Sequence, residues 1–125
     1  MTLLDLWIIT NDSGIIIYHK VKNSLTDDDC LGGFISAFIC YIKNCFQERL
    51  DGFSITNFQF YLLKEHKITF IGKFPRRVEE SIAFKELVET VQKFFRHFPR
   101  KQFDNWDFDV NKFTVFDEII DISYY

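Results

Sequence analysis

Two apolar runs at the start of the chain constrain its fold more than any other feature. Leu3 to Thr10 (LLDLWIIT) and Ile15 to Val21 (IIIYHKV) favour strands, and the turn-forming stretch from Asn11 to Gly14 (NDSG) separates them, which predicts a β-hairpin. Nearly every position is apolar, with Asp5 and His19 as exceptions, so both faces of these strands need a cover. The sequence therefore predicts a sheet with helices above and below it.

A long amphipathic helix is predicted after this hairpin. Thr26 is a candidate N-cap, and Asp27 to Asp29 occupy the first turn, where the positive end of the helix dipole stabilises carboxylates. The apolar residues recur at spacings of three and four, in a stripe formed by Leu31, Phe34, Ile35, Phe38, Ile39, Ile42 and Phe46. We expect this stripe to lie on the sheet.

The second half of the chain predicts three more strands and two more helices. The strands are Phe53 to Asn57, Phe58 to Leu63 and Lys67 to Phe74, and the last two form a hairpin. A helix is predicted from Ile82 to Phe98. The remaining apolar spacing predicts a third, shorter helix that contains Phe113, Phe116, Ile119 and Ile120.

This element order predicts the architecture. A chain of 125 residues suits one α+β domain over residues 1–125. The order β-β-α-β-β-β-α-α predicts a three-layer α/β/α sandwich around a five-stranded antiparallel sheet. Consecutive strands joined by tight turns are expected to form a meander, with the first helix on one face and the last two on the other.

Charge and hydropathy exclude several classes of function. A net charge of −3 gives no general attraction to nucleic acid. The N-terminus has no basic segment before its apolar run, so secretion is not expected. Lys43 and Asn44 interrupt the best candidate for a membrane span, which needs roughly 18 to 20 apolar residues. We expect a cytoplasmic protein with at most peripheral membrane contact.

The acidic and histidine residues do not predict a metal site. Asp27 to Asp29 lack the alternating ligands of an EF-hand loop, and they are better explained as a helix start. His19, His66 and His97 are predicted in a strand, a hairpin turn and a helix end, without the paired spacing of a metal motif. Metal binding is therefore not expected.

The three cysteines are expected to be free thiols. Cys30, Cys40 and Cys45 lack CxxC spacing, and an odd number cannot pair completely within one chain. Cys40 and Cys45 are interpreted as small hydrophobic residues packed on a helix flank. The acids beside Cys30 oppose formation of a thiolate, and no glycine-rich phosphate loop is present in the sequence. We therefore predict no catalytic residue, no cofactor and no enzyme activity.

Basic residues gather in two places that allow two interpretations. They are Arg76 and Arg77, and then Lys93, Arg96, Arg100 and Lys101. Such a cluster is usually a solvated helix end, and the alternative is a docking patch for an acidic partner or an anionic membrane.

Gly32 and Gly33 are unusual because they fall inside the first predicted helix. Each glycine there costs about 1 kcal/mol relative to alanine, which close contact with the sheet or with a second subunit could offset. The side of the helix opposite the stripe is also weakly polar. We therefore predict a protein interface, and a dimer or stable partner, at Gly33, Ser36, Ala37, Cys40, Tyr41 and Asn44.

The same order of elements resembles the longin or SNARE-like domain family, within the roadblock/longin superfamily. The resemblance rests on LWIITNDSGIIIYHK with its D-x-G turn, LGGFISAFICYIKNCFQERL and FQFYLLKEHKITFIGKF, and spans Leu3 to about Ile122. The run GFISAF, from Gly33 to Phe38, is similar to the first helix of small stand-alone prokaryotic members.

This resemblance implies a non-catalytic adaptor or scaffold module. It implies a homodimer or a pair with a related longin or roadblock protein, which binds or regulates a small Ras-like GTPase or a vesicle-trafficking-like complex. The alternative is a small-molecule-sensing domain of the PAS- or profilin-like kind, with a ligand between sheet and helix. The count of 16 phenylalanines argues against an empty cavity there.

Overall fold

The computed structural model describes residues 2–11, 15–20, 28–47, 50–103 and 110–118. Five strands, two α-helices and two 3-10 helices form in these ranges. In chain order they are β1 (Asp5–Thr10), β2 (Ile16–Lys20), α1 (Asp28–Phe46), β3 (Gly52–Ser54), β4 (Phe58–Glu65), β5 (Ile68–Pro75), α2 (Glu80–His97) and the 3-10 helices Arg100–Phe103 and Val110–Glu118. The predicted α+β architecture is confirmed. Thr26 and Asp27, the predicted start of the first helix, lie outside the described residues.

The five strands form one antiparallel sheet whose order is β2-β1-β5-β4-β3. The predicted simple meander is wrong, because β1 pairs with β5 along its whole length, from Asp5 opposite Lys73 to Thr10 opposite Ile68. Two hairpins therefore meet at the centre of the sheet. This order puts the two most apolar strands, β1 and β5, where both faces are covered.

The first face of the sheet packs against α2 and the 3-10 helices. Leu6 and Ile8 of β1 and Phe70 of β5 join the same buried cluster as Leu87 and Phe94 of α2. The ring of Phe94 lies 5.3 Å from that of Phe70, centroid to centroid, in an edge-to-face arrangement. This face holds the larger of the two buried cores.

The third predicted helix is a 3-10 helix, Val110–Glu118. Phe113 and Phe116 are fully buried, as their pattern predicted, and their spacing of three residues matches a 3-10 turn. Tyr18 of β2 donates a hydrogen bond from its hydroxyl to Asp117 Oδ1 at 2.7 Å, which fixes this segment beside β2. Ile119 and Ile120 lie outside the described residues.

The second face of the sheet lies under α1. Trp7, Ile9 and Ile71 point to this side and pack with Ile35, so α1 and α2 cover opposite faces as predicted. Asp5 also points here and is 2% exposed; Lys73 Nζ lies 3.2 Å from its carboxylate. The opposite charge of Lys73 explains how an acid can occupy the apolar first strand.

Candidate protein interface

Helix α1 is covered far less than its composition suggests. Among residues 33–46, Ile35 is the one buried side chain. Phe34, Tyr41 and Phe46 are 54%, 55% and 59% exposed. A monomeric protein rarely leaves so many large apolar side chains on one helix, so this surface is the leading candidate for a binding site.

The apolar stripe of α1 is only partly buried. Phe38, Ile39 and Ile42 are half-buried, whereas Phe34 and Phe46 are exposed, contrary to the prediction that the whole stripe lies on the sheet. The side chain of Leu31 lies outside the described residues. The stripe contacts the core under the sheet face at Ile35, and Phe34, the residue beside Ile35, is exposed on the flank of that contact. Sequence periodicity indicates the most apolar face of a helix but not how much sheet lies beneath it.

Aromatic rings continue from α1 onto the edge of the sheet. The rings of Phe34 and Phe38 lie 6.2 Å and 6.0 Å from the ring of Phe53 in β3, centroid to centroid. Phe53 in turn stacks on Phe60 at 4.7 Å. The exposed ring of Phe34 is therefore the outer member of a cluster anchored in the core.

The residues predicted as an interface lie together on the outer side of α1. Gly33, Ala37, Cys40, Tyr41 and Asn44 are exposed. Ser36, the sixth residue of the set, is half-buried. Lys43 is the one charged residue from 33 to 46, so this side of the helix is nearly uncharged. We call the six residues the outer α1 face.

Gly33 does not approach the sheet, so that part of the prediction is wrong. A Cβ atom built on Gly33 would have no heavy atom of a described residue within 4 Å. The neighbouring glycine, Gly32, lies in the part of α1 whose surroundings are not described. The open space over Gly33 leaves room for a second molecule to approach the helix backbone closely.

The predicted packing of the cysteines is also wrong. Cys40 and Cys45 are exposed free thiols. The sheet covers only a narrow part of α1. Positions beside the apolar stripe, such as those of the two cysteines, are therefore exposed to solvent. The side chain of Cys30 lies outside the described residues.

An open depression of about 800 Å³ lies between the C-terminal half of α1 and the β3–β4 edge. On the α1 side its lining includes Ile39, Lys43, Leu62 and Lys64. It continues around the short strand β3 to Phe84 on the α2 side. It is thus a surface feature at the sheet edge and differs from an enclosed chamber between sheet and helix.

Arg76 and Arg100, from the two basic clusters, make contacts within the chain. Arg100 Nε lies 3.2 Å from Glu65 Oε1, and its guanidinium lies 4.3 Å from the centroid of the Phe95 ring. Arg76 donates a hydrogen bond from Nη1 to the Ile55 carbonyl at 3.3 Å. Arg77 and Arg96 are exposed, and the side chain of Lys101 lies outside the described residues. These contacts favour a structural role for Arg76 and Arg100.

The described titratable residues give two observations about possible chemistry. Within the described ranges, no three His, Cys, Asp or Glu side chains come close enough to hold a metal ion. Tyr61 has a perturbed pKa: burial, and to a lesser extent the negative charge of Glu80, raise it above its ordinary value of 10.0. Its hydroxyl donates a hydrogen bond to Gln59 Oε1 at 2.8 Å. No helix in the described part of the chain is long and apolar enough to cross a membrane.

Comparison with solved structures identifies the fold. No protein-family model and no curated sequence matches the chain. MglB of Myxococcus xanthus superposes with a TM-score of 0.57 at 10% identity, over 75% of this chain and 84% of that one. The roadblock/LC7 domain from Streptomyces avermitilis gives 0.55 at 8% identity, over 77% and 88%. The chain has a roadblock/longin-type fold.

A third structure agrees with this fold. The gliding protein MglB from Thermus thermophilus superposes with a TM-score of 0.53 at 11% identity, over 70% of each chain. The TM-scores of 0.53 to 0.57 establish a common fold, whereas identities of 8% to 11% leave the function to be argued from the surface of this chain.

Proposed function

We propose that this protein is a non-catalytic interaction module of the adaptor class that works as a dimer through the outer α1 face. The exposure of Tyr41 on this face and of Phe34 beside it carries this proposal, since Lys43 is the one charged residue from 33 to 46. The partner is a second copy of the chain or a related roadblock or longin protein.

The chemistry of the outer α1 face suits pairing with a like surface. A two-fold interface places the same patch of each copy against itself, so its charges must not repel. With Lys43 as the single charged residue from 33 to 46, two such faces meet without strong repulsion. Gly33 and Ala37 permit close approach of the backbones, and the exposed rings supply the apolar area that stable interfaces need.

We further propose that the dimer binds or regulates a small Ras-like GTPase, or a trafficking-like complex, in the cytoplasm. The shared fold with MglB and roadblock/LC7 proteins and the resemblance to longin adaptors support this role. The protein would act by presenting a surface, since the described residues suggest no reaction centre.

Dimerisation is tested by light scattering on the pure protein with a matched pair of variants. The wild type is expected at about twice the chain mass of 15.0 kDa. Ala37→Asp places a charge in the outer α1 face and should give a monomer, because two buried like charges repel. Gln92→Asp, on the exposed side of α2, makes the same kind of change and should remain dimeric. A monomeric wild type would refute the dimer.

GTPase binding is tested separately. Wild type and Ala37→Asp are used as baits in the native cell, and a recovered GTPase is then purified and titrated in its GDP and GTP states. Binding of one nucleotide state by the wild type is expected. A GTPase that binds Ala37→Asp equally well would show that the dimer is unnecessary, and recovery of no GTPase would count against this role.

A small-molecule sensor is the second candidate, favoured by the depression beside Ile39 and Leu62. Its openness to solvent fits a ligand poorly, since small-molecule sites usually enclose most of the ligand. A thermal-shift screen with soluble metabolites tests it. A reproducible rise in the melting temperature that is lost in Leu62→Ala would favour this candidate over the adaptor.

A further inference from the structure

The C-terminal part of α1 has no fully buried side chain. From 36 to 46 every side chain is exposed or half-buried, whereas six of the 18 residues of α2 are buried. The half-buried Phe38, Ile39 and Ile42 supply the apolar contacts of this stretch. The nearest buried residue on its N-terminal side is Ile35, which packs in the core beneath α1. We call residues 36–46 the α1 C-terminal segment.

The composition of this segment does not favour a helix. Of its eleven residues, Ala37 and Lys43 are strong helix formers, and the other nine rank lower in intrinsic helix propensity. In α2, nine of the 18 residues are strong helix formers. Isolated helices shorter than about 12 to 15 residues are marginal in water even when they are rich in alanine. The helical state of the segment therefore depends on its contacts with the rest of the molecule.

Solvent reaches the segment from two sides. Its outer side carries most of the outer α1 face, which is mainly exposed. Toward the sheet edge, Ile39 and Lys43 line the open depression. Gln47, which follows the helix, has a φ of 56°, a left-handed conformation that glycine or asparagine usually supplies at a helix end. Few buried contacts thus oppose unfolding of this segment, which is the property of regions that open before the core does.

We propose that the α1 C-terminal segment unfolds locally in the free monomer and that dimerisation holds it as a helix. Five of the six residues of the outer α1 face lie in the segment, so the complete face exists only while the segment is helical. Helix formation and dimerisation are then one coupled equilibrium, in which a copy that folds its segment more readily also pairs more tightly. This inference rests on the proposed dimer.

Local unfolding is tested by amide hydrogen exchange in a monomeric variant. Ala37→Glu places a charge in the outer α1 face, and glutamate remains a good helix former. In this monomer the protection factors of residues 40–46 should be lower than those of residues 87–94 in α2 by about a hundredfold or more. In the wild-type dimer, protection of residues 40–46 should rise about tenfold or more. Equal protection of the two stretches in the monomer would overturn the inference.

The coupling is tested with a matched pair of variants at an exposed position outside the outer α1 face. Lys43→Ala and Lys43→Gly remove the same charge, and glycine is less favourable in a helix by about 1 kcal/mol, or about fivefold in the folding equilibrium. Because each copy folds its own segment, Lys43→Gly should dimerise about five- to 25-fold more weakly than Lys43→Ala in sedimentation. Equal dissociation constants would show that the segment is already folded in the monomer, and would overturn the inference.

The same pair of changes at Gln92 supplies the control. Gln92 is exposed on α2, a helix that buries six of its side chains. Gln92→Ala and Gln92→Gly should therefore dimerise equally, although the glycine variant is less stable to global unfolding. A difference in dimerisation as large as that between the two Lys43 variants would assign the effect to global stability, and would overturn the inference.

These outcomes distinguish the inference from the proposed dimer. A dimeric wild type, together with a monomeric variant in which the α1 C-terminal segment is protected as strongly as α2, refutes this inference alone. A wild type that is monomeric at every concentration, with rapid exchange in the segment, refutes the proposed dimer and supports the local unfolding.

Discussion

The two helices of this protein have nearly the same length and opposite environments. Helix α2, Glu80–His97, carries many charged residues, yet it buries Ala83, Leu87, Thr90, Val91, Phe94 and Phe95. Helix α1 carries few charges, yet Ile35 is its one buried side chain among residues 33–46. Burial is therefore set by what lies against each helix and not by how apolar the helix is.

The two faces of the sheet contribute differently to folding and to binding. The α2 face holds a dense aromatic core, which stabilises the monomer through buried apolar area. The α1 face holds a smaller core, and part of the apolar surface of α1 remains exposed to solvent. Exposed apolar surface of this kind does not stabilise a monomer, but it can stabilise an interface. Substitutions on the two faces should therefore affect different measurements.

The largest expected effect is at Phe94. Its ring is fully buried, and its centroid lies 5.3 Å from that of Phe116 and 5.7 Å from that of Phe113. Phe94→Ala should lower the free energy of unfolding by about 3 to 5 kcal/mol in urea titrations, because it leaves a cavity. Phe34→Ala on α1 should cost less than about 1 kcal/mol. Both variants are measured in the Ala37→Asp background, so that dimerisation does not contribute to the measured stability. Equal losses in the free energy of unfolding would contradict the distinction between the two faces.

Two glycines give a second contrast. A Cβ on Gly72 of β5 would lie 2.8 Å from a ring carbon of Phe74 and 3.2 Å from a methyl carbon of Leu87, because α2 packs closely here. Gly72→Ala should therefore destabilise the fold by about 1 to 3 kcal/mol through overpacking. The readout is the midpoint of chemical unfolding. An unchanged midpoint would mean that α2 moves aside at little cost.

Gly33→Ala should have the opposite sign in the monomer. No described residue lies within 4 Å of the new Cβ, and alanine removes the entropic penalty of glycine, so the free energy of unfolding should rise by up to about 1 kcal/mol. Gly33→Leu should keep the monomer stable and weaken the dimer measured by sedimentation, if a second copy packs here. A dimer that tolerates leucine would place the contact elsewhere on α1.

The smallest expected effect is a dependence on high pH. Burial and the nearby charge of Glu80 raise the pKa of Tyr61 above 10.0, so the folded state holds this proton more tightly than the unfolded state. The stabilisation is complete below about pH 10 and is lost as the pH rises through the folded-state pKa. Tyr61→Phe should remove part of this alkaline decline in thermal unfolding curves. An alkaline decline that is the same in Tyr61→Phe and in the wild type would contradict this role for Tyr61.

Strand positions could be predicted because their signals are local. β1 and β2 formed inside the predicted runs, and the hairpin of β4 and β5 turned at His66 as predicted, in a positive-φ conformation. The pairing of β1 with β5 could not be predicted, because it joins residues about sixty positions apart whose apolar patterns suit several neighbours.

The candidate interface was predicted in part. The weakly polar side of α1 predicts an interface at the outer α1 face, and the residues of this face are mainly exposed. Helical periodicity also places Phe34 and Phe46 in the buried stripe, but it cannot show how much of that stripe the sheet covers, and both side chains are exposed.

The sequence by itself determined the element types, their order and the two-sided cover of the sheet, because hydrophobic periodicity and turn residues act over a few positions. The tertiary structure alone decided the strand order and the unequal cover of the two helices. Both depend on contacts between segments that are distant in sequence, and a local sequence pattern does not specify such contacts. The apolar surface left over on α1 is a consequence of that unequal cover, and it is the feature that makes this chain a candidate binding module.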